Sequence, residues 1–351
     1  MISAKDYHIE MLSVGAADAF ILYVIDKQNN EHLILIDAGN YKDGDKIINH
    51  IRKYYNNPVI DLAIVTHCDD DHYGGFVRML EKLSNGDRDA ITIRQFWVND
   101  PGKNHIDVND VKYVNSRPVV NNRAREIYNC RDLNLLELID SLRIPRTEKF
   151  AESISNGYGL PPIIRPDSYF TFLYIIGPTK AYYEELIPKF RDDLKYKESD
   201  NMYNESTDIA TNDSLSPTLD AADDDSSAHN QSSMIVLFQP QENKRYLFMG
   251  DAGREAFDRI PLYHKLKITN VDWLKVPHHG SKHNLDSGMI KWIKPKVAYI
   301  SANSNDEYAN RCTIKALKCS GCNVYSTHKD HRNFIHKQIG KREGYSTAIP
   351  L

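Results

Sequence analysis

Short apolar runs recur along the chain, and amphipathic segments separate them. The runs at residues 33–36, 62–65 and 170–176 have the length and composition of buried strands. Apolar residues spaced three and four apart within residues 47–55 and 76–83 predict helices with one buried face. The first part of the chain therefore reads as three strands, a helix, a strand, a loop and a helix. This order predicts an α/β fold.

A polar stretch at residues 66–75 lies between a predicted strand and a predicted helix, where loops commonly carry reactive groups. Its sequence is Thr-His-Cys-Asp-Asp-Asp-His-Tyr-Gly-Gly. His67 and Asp69 alternate, so their side chains point the same way in an extended loop. Asp71 and His72 follow directly and can face a second ion. Nitrogen and oxygen ligands that converge from one rigid loop suit divalent metals, so we predict a metal site; a solvated acidic turn is the alternative.

The stretch resembles the H-x-H-x-D-H signature of the metallo-β-lactamase-fold hydrolases. It looks like the variant in which Asp replaces the second His, which is found in the metallo-hydrolase domain of the ComEC/Rec2 DNA-uptake proteins and their free-standing relatives. Further motifs that are similar to those of this family follow its order along the chain. They are the turn at residues 15–19, the strand end Asp37-Ala38-Gly39, the pair Gly250-Asp251, and the run Val276-Pro277-His278-His279-Gly280-Ser281.

The resemblance implies a four-layer αββα sandwich that forms a single domain over residues 1–337, followed by a C-terminal tail at residues 338–351. Residues 100–166 are predicted to be an insertion with a helical region. Residues 198–230 contain no Lys or Arg and are rich in Asp, Ser, Thr and Asn. Such a composition buries little apolar surface, so we predict a disordered, flexible acidic loop there.

The resemblance also implies which residues bind metal. Many enzymes of this fold supply a third His to the first ion, whereas His229 of this chain is displaced relative to the matching strand, so that ligand stays open. Asp37 is implied to brace the metal loop, and Asp18 to lie at the edge of the site, with a turn-capping role as its alternative. The implied metal ligands are His67, Asp69, Asp71, His72, Asp251 and His279, with His278 as the alternate to His279.

The implied chemistry is metal-dependent hydrolysis. Asp71 orients a water molecule and Asp251 bridges two divalent ions, zinc or manganese, which lower the pKa of the water to near neutrality and produce hydroxide. Asp69 in place of a His makes the site richer in oxygen, which favours manganese or a mixed occupancy over zinc alone. Ser281 and Lys282 are implied to contact an anionic substrate, since they follow the last metal motif.

The resemblance favours a phosphodiesterase or nuclease that acts on nucleic acid or a nucleotide. One alternative is a carbonyl hydrolase, such as a lactonase, thioesterase or β-lactamase. Another is a metal-braced binding component of a defence or signalling assembly, in which the protein partner is unknown. Because one scaffold hosts many reactions, the fold alone does not choose among these functions.

Composition adds limits to this picture. The chain has 351 residues and a net charge of −4, so its overall charge does not indicate nucleic-acid binding. It has no apolar run long enough for a membrane span and no signal-peptide pattern at Met1, which predicts a free-standing cytoplasmic enzyme without membrane contact. The cysteine count is five, an odd number that argues against a disulfide framework. Cys319 and Cys322 are predicted to be structural thiols.

Overall fold

The strands come from both halves of the chain. The computed structural model describes residues 1–103, 129–130, 133–153, 162–190, 219–303, 308–327, 333–336 and 345. The strands within these ranges are β1 (Ala4–Met11), β2 (Phe20–Asp26), β3 (Glu31–Ile36), β4 (Val59–Ile60), β5 (Leu62–Ile64), β6 (Thr92–Ile93), β7 (Phe96–Trp97), β8 (Asn129–Cys130), β9 (Leu133–Asn134), β10 (Arg146–Thr147), β11 (Leu173–Gly177), β12 (Ile235–Gln241), β13 (Lys244–Phe248), β14 (Trp273–Lys275), β15 (Val297–Ile300), β16 (Asn323–Ser326) and β17 (Phe334–His336).

The helices are mostly short. Two are longer, Asp43–Tyr54 and Asp70–Asn85, and the second begins within the metal loop that the sequence predicts. Single 3-10 turns lie at Ile187–Lys189, Leu219–Ala221 and His278–Gly280. The α-helices of the described ranges are α1 (Asp43–Tyr54), α2 (Asp70–Asn85), α3 (Leu135–Ser141), α4 (Lys180–Leu186), α5 (Ala228–Gln231), α6 (Arg254–Asp258), α7 (Leu262–Lys267), α8 (Ser287–Ile293) and α9 (Arg311–Cys319).

Two large mixed sheets form the centre of the molecule. The first has seven strands in the order β10-β7-β5-β3-β2-β1-β17, and the second has six in the order β11-β12-β13-β14-β15-β16. In each sheet, antiparallel strands continue into a parallel series: β3, β5, β7 and β10 run parallel in the first, and β13 to β16 in the second. The carboxyl ends of parallel strands share one edge of a sheet, where functional loops collect.

The central strands are mostly apolar, as is typical of strands with both faces buried. In β3, Leu33 and Leu35 pack in the cluster that contains the helix residue Ile47, whereas Ile34 and Ile36 pack in the cluster between the sheets. Aromatic rings from opposite sheets meet there; the ring centroids of Phe20 and Phe248, for example, are 5.4 Å apart. Helices therefore cover the outer face of each sheet, which confirms the predicted αββα sandwich.

Helix α2 lies against the loop that follows β3, and the glycine pair of the metal motif makes this contact. A Cβ atom at Gly75 would be 2.0 Å from the carbonyl oxygen of Ala38, and one at Gly74 would be 2.6 Å from the backbone nitrogen of Tyr41. Only residues without a side chain allow such an approach. The contact fixes the first turn of α2 beside the ends of β3 and β5.

The segments that composition singled out are described in part. Residues 104–128, 131–132 and 154–161 of the predicted insertion, 198–218 of the acidic segment, and the tail other than Tyr345 lie outside the described residues. For residues 219–230 the prediction of a flexible loop is wrong, because this part is folded onto the metal loop and contains a 3-10 turn and α5. The boundary of the single domain stays a prediction. Among the helices that the structure describes, none combines the length and the hydrophobicity of a membrane span.

Candidate metal centre

Loops from both sheets build the candidate site. His67 and Asp69 lie between the end of β5 and the start of α2, and Asp69 is the extended residue that precedes the helix. Asp251 follows β13, and His279 follows β14, so both lie at the carboxyl ends of parallel strands. His278, His279 and Gly280 have φ angles of +45°, +50° and +82°. For His residues this left-handed backbone is uncommon and strained, as is often found at functional sites.

The first ligand group contains Asp71, His72, Asp251 and His279, whose ligand atoms all lie within 4.8 Å of one another. The Nε2 atom of His279 is 3.1 Å from Oδ2 of Asp71 and 3.7 Å from Oδ2 of Asp251. The Nε2 atom of His72 is 3.3 Å from the same Asp251 oxygen. The four residues that the sequence predicts for one part of the site are thus brought together, with Asp251 central.

The second ligand group contains Cys68, Asp69 and His229. The Nδ1 atom of His229 is 3.1 Å from Oδ1 of Asp69, and Nε2 of His67 is 3.7 Å from the other oxygen of that carboxylate. His67, whose Nε2 atom faces Asp69 of the second group, also lies beside His72 of the first group, with ring centroids 4.1 Å apart, so it connects the two groups. His229 is displaced along the chain relative to β12, but α5 brings its ring to Asp69.

The hydrogen bonds of the imidazole rings direct lone pairs into the site. His279 donates from Nδ1 to the carbonyl of Ser301 at 3.0 Å, and His72 donates from Nδ1 to the Asp37 carboxylate at 2.8 Å. The Thr66 hydroxyl donates its proton to Asp37, so it accepts from Nδ1 of His67 at 3.2 Å. With Nδ1 engaged behind the site, Nε2 is the atom of each ring that would face a metal ion.

These donor atoms fit divalent ions. The Nε2 atoms of His67 and His72 are buried and have no hydrogen-bond partner. Two ligand atoms that each lie about 2.1 Å from one ion are separated by about 3.0–3.6 Å, and the nitrogen–oxygen separations given above, 3.1–3.7 Å, are close to that range. Buried nitrogen atoms without partners, opposite carboxylates at these distances, are what a metal ion would satisfy.

Asp37 and Asp18 contact the Nδ1 side of two imidazole rings, opposite the nitrogen atoms that face the ligand groups. Asp37 accepts hydrogen bonds from the backbone nitrogen and the hydroxyl of Thr66, at 2.8 and 2.7 Å, in addition to the one from His72. Asp18 lies 3.6 Å from Nδ1 of His279 and forms a buried ion pair with Lys275. Both acids thus contact the side of the imidazole rings that faces away from the ligand groups.

The charges of the group stabilise one another. Burial opposes charge on His72, but the carboxylates of Asp251, Asp71 and Asp37 raise its pKa well above the ordinary value. Burial likewise opposes charge on Asp71, yet His72 and His279 lower the pKa of that carboxyl to about 2. His72 and Lys275 hold the pKa of buried Asp251 well below its usual range. The carboxylates therefore stay ionised in a region that attracts cations.

His278 lies at the rim of the site. Its side chain is 24% exposed, and its Nε2 atom is 3.9 Å from Asp251, whereas His279 is fully buried. On its other side, Nδ1 contacts Oδ1 of Asn284 at 2.9 Å and the Asp225 carboxylate at 3.3 Å. Burial opposes its charge, but Asp251 and Asp225 raise the pKa of His278 to about 9. The geometry therefore favours His279 over His278 as the ligand.

The two predicted substrate contacts lie outside the ligand groups of the described residues. The Ser281 hydroxyl accepts a hydrogen bond from the backbone nitrogen of His283 at 3.2 Å, and the carbonyl of Lys282 accepts one from Arg254 at 3.2 Å. The next helix, α8, begins only at Ser287. Their contact with a substrate stays a prediction.

Sequence reasoning missed four residues of the site: Cys68, Lys275, Asn284 and Asp225. Cys68 stands between two ligand positions of the motif, where no ligand is expected, although a thiol is a good metal ligand. Lys275 interrupts an apolar strand, and this was a usable signal, because a charge on a buried strand needs a partner. Asn284 and Asp225 give no comparable signal in the sequence.

The chain is similar to proteins of one superfamily. Residues 22–109 match the family model of the metallo-beta-lactamase superfamily. ComE operon protein 3 of Bacillus subtilis (strain 168) is 27% identical over 126 residues, which are 35% of this chain and 16% of that protein. The match therefore spans less than a fifth of that relative's length.

Two solved structures align with most of this chain at low sequence identity and low TM-score. A long form RNase Z from yeast has 13% identity and a TM-score of 0.34, over 85% of this chain and 37% of that chain. A diphosphatase from the PhnP family has 10% identity and a TM-score of 0.35, over 84% of this chain and 86% of that chain. The αββα sandwich, the order of the motifs and the match of residues 22–109 together support a metallo-β-lactamase fold, and the motifs resemble those of the ComEC/Rec2 group.

Proposed function

We propose that this hydrolase is a metal-dependent phosphodiesterase that acts on nucleic acid or a nucleotide, with two divalent ions, zinc or manganese, in its site. The observation that carries the proposal is the pair of adjacent ligand groups, which meet at His67 and His72 with ring centroids 4.1 Å apart. Two neighbouring cations match the two oxygen atoms, attacking and leaving, of an in-line displacement at phosphorus. When bound, such ions supply a water nucleophile at neutral pH and neutralise charge that develops on the phosphate.

The protein's own residues divide the remaining work. Asp71 is the most exposed carboxylate of the first ligand group, with 32% of its side chain exposed. One of its oxygen atoms faces His279 or a bound ion, and the other would be available to orient a water molecule. Asp251 is buried at the centre of the group and faces the imidazoles of His72, His279 and His278. His278, at the rim, is positioned to contact a substrate oxygen.

The class of substrate is supported by the resemblance. The H-x-D-x-D-H arrangement at residues 67–72 and the His-His-Gly-Ser run at residues 278–281 are both similar to those of a nucleic-acid-handling family. In addition, the site is rich in carboxylates, and a polyanionic substrate would approach it through the positive charge of its ions.

The test is hydrolysis by protein that has been stripped with a chelator and reloaded with manganese or zinc. The substrates are end-labelled single-stranded DNA and RNA, bis-p-nitrophenyl phosphate, and p-nitrophenyl acetate as the carbonyl ester. His72→Ala and Asp251→Asn remove a ligand each. His264→Gln is the matched control, because His264 is also buried but hydrogen-bonds to the carbonyl of Glu152, outside the site.

We expect metal-dependent cleavage of the phosphodiesters that falls by at least about 10³-fold in both ligand variants and is retained in His264→Gln. Cleavage of the ester alone would replace this proposal by the carbonyl-hydrolase alternative. Tight metal binding without turnover of any of the substrates would refute the proposal in favour of a binding component.

A further inference from the structure

The second ligand group has a composition that differs from the motif of its family. Between His67 and Asp69 stands Cys68, whose side chain is 5% exposed and whose Sγ atom lies within 4.8 Å of ligand atoms of both Asp69 and His229. A buried thiol beside a carboxylate and an imidazole is a nitrogen, oxygen and sulfur set of the kind that zinc prefers.

The hydrogen bonds of His229 define which of its nitrogen atoms faces this group. Its Nε2 atom lies 3.1 Å from the carbonyl oxygen of Phe190, which can only accept, so Nε2 carries a hydrogen. Its Nδ1 atom lies 3.1 Å from Oδ1 of Asp69. A lone pair and a carboxylate oxygen repel each other at this distance unless a cation, either a proton or a metal ion, lies between them.

Neighbouring residues hold His229 in this orientation. The Phe190 ring packs edge-on against the imidazole with centroids 4.9 Å apart, and the Ser232 hydroxyl donates to the carbonyl of His229 at 2.7 Å. Asn284 connects the preceding Asp225 to the loop of the first ligand group, since its amide donates to the Asp225 carboxylate at 2.6 Å and to the carbonyl of Asp251 at 2.9 Å. The two ligand groups are therefore fixed relative to each other.

An independent observation points to an ion here. The Nε2 atom of His67 is buried, has no hydrogen-bond partner, and faces the Asp69 carboxylate at 3.7 Å from its second oxygen. Asp69 thus lies between two imidazole nitrogens, one on each side. A single proton on His229 would satisfy one side only and leave His67 without a partner.

We propose that Cys68, Asp69 and His229 join His67 as ligands of one of the two ions, with the Cys68 sulfur bound as a thiolate. The thiol proton passes to solvent when the ion binds, so binding strengthens as the pH rises. The sulfur ligand makes this position selective for zinc over manganese, whereas the group around Asp71 contains only nitrogen and oxygen. This inference rests on the proposed two-ion centre and not on its substrate.

The test is titration of the chelator-stripped full chain with cobalt(II), followed by absorption and by equilibrium dialysis. A thiolate ligand gives a sulfur-to-cobalt charge-transfer band in the near ultraviolet, which nitrogen and oxygen ligands do not give. We expect the wild type to bind two equivalents, one of which produces the band. Cys68→Ser should lose the band, and Cys322→Ser, a change at another buried cysteine, should keep it.

A second pair of variants tests the imidazole. His229→Gln should weaken one of the two equivalents by at least about tenfold and leave the other unchanged, whereas His264→Gln should leave both unchanged. Two bound equivalents without a charge-transfer band in the wild type, or a band that persists in Cys68→Ser, would overturn the sulfur ligand. Unaltered affinities in His229→Gln would overturn the imidazole ligand. A protein that shows the band but cleaves no phosphodiester would keep this inference and refute the proposed substrate.

Discussion

Removal of the buried charge on Lys275 should destabilise the metal-free protein strongly. The side chain is 1% exposed, and its ammonium group contacts Asp18, lies 3.2 Å from Oδ1 of Asp251, and donates to the carbonyl of Gly250 at 2.7 Å. Burial opposes the charge, but Asp18 and Asp251 raise the pKa of Lys275, so it stays protonated. Lys275→Met keeps much of the apolar stem and leaves two carboxylates buried without this partner.

The magnitude follows from burial. Breaking a buried ion pair by removing one partner costs about 3–5 kcal/mol, because the other charge remains unpaired in a medium of low polarity. The matched control is Lys296→Met: Lys296 is 68% exposed and lies 2.8 Å from Asp272. An exposed pair of this kind contributes at most about 1 kcal/mol. The two variants should therefore differ by at least about 2 kcal/mol in free energy of unfolding.

The assay is urea unfolding at neutral pH, with and without saturating zinc. The metal should reduce the penalty of Lys275→Met, because an ion at Asp251 replaces part of the lost positive charge, and should not change that of Lys296→Met. A loss in the metal-free Lys275→Met protein that is no larger than the loss in Lys296→Met would refute the reasoning.

Three further predictions concern other parts of the molecule. Gly75→Ala should lower the stability by a net amount of about 2 kcal/mol, measured by urea unfolding, because its Cβ would be 2.0 Å from the Ala38 carbonyl; a gain in stability would contradict the packing. Burial opposes ionisation of Asp26, but hydrogen bonds within its turn lower its pKa to about 2, so its contribution is present above about pH 4 and lost as the pH falls towards 2. Asp26→Asn should accordingly be less stable than the wild type at neutral pH and equal to it at about pH 2, and a constant difference in unfolding midpoints across this range would exclude the linkage. Burial raises the pKa of Cys322 to about 12, so a thiol reagent at about pH 8 should modify the exposed Cys319 and spare Cys322 in the folded protein, as mass spectrometry of the modified peptides would establish.

The sequence predicts the part of the site that is local in the chain. Strand β5, the loop with His67 and Asp69, and α2 are consecutive, and the strand–loop–helix order was predicted; the helix begins earlier than expected, so that Asp71 and His72 lie in its first turn and not in the loop. Asp251 and His279 were predicted as ligands from the resemblance of their motifs, and in the structure both follow strands of one parallel series.

The residues that sequence reasoning misplaced depend on contacts between distant segments. Asp225 lies in a segment whose composition suggests disorder, but its carboxylate is held by Asn284 and His278, more than fifty residues later. His229 is displaced along the chain relative to β12, and the short helix α5 compensates for this by turning its ring to Asp69. No local pattern of hydrophobicity reports such long-range pairings.

The outermost strand of the first sheet comes from far along the chain. β17 pairs antiparallel with β1, so that Met11 lies opposite Phe334 and Ile9 opposite His336. During synthesis, the backbone donors and acceptors on one edge of β1 therefore have no strand to pair with until more than three hundred further residues have left the ribosome. An uncovered strand edge can pair with other nascent chains, so this interval is the period in which aggregation competes with folding. Late arrival of β17 thus makes the yield of folded protein sensitive to the rate of translation and to chaperones that cover strand edges.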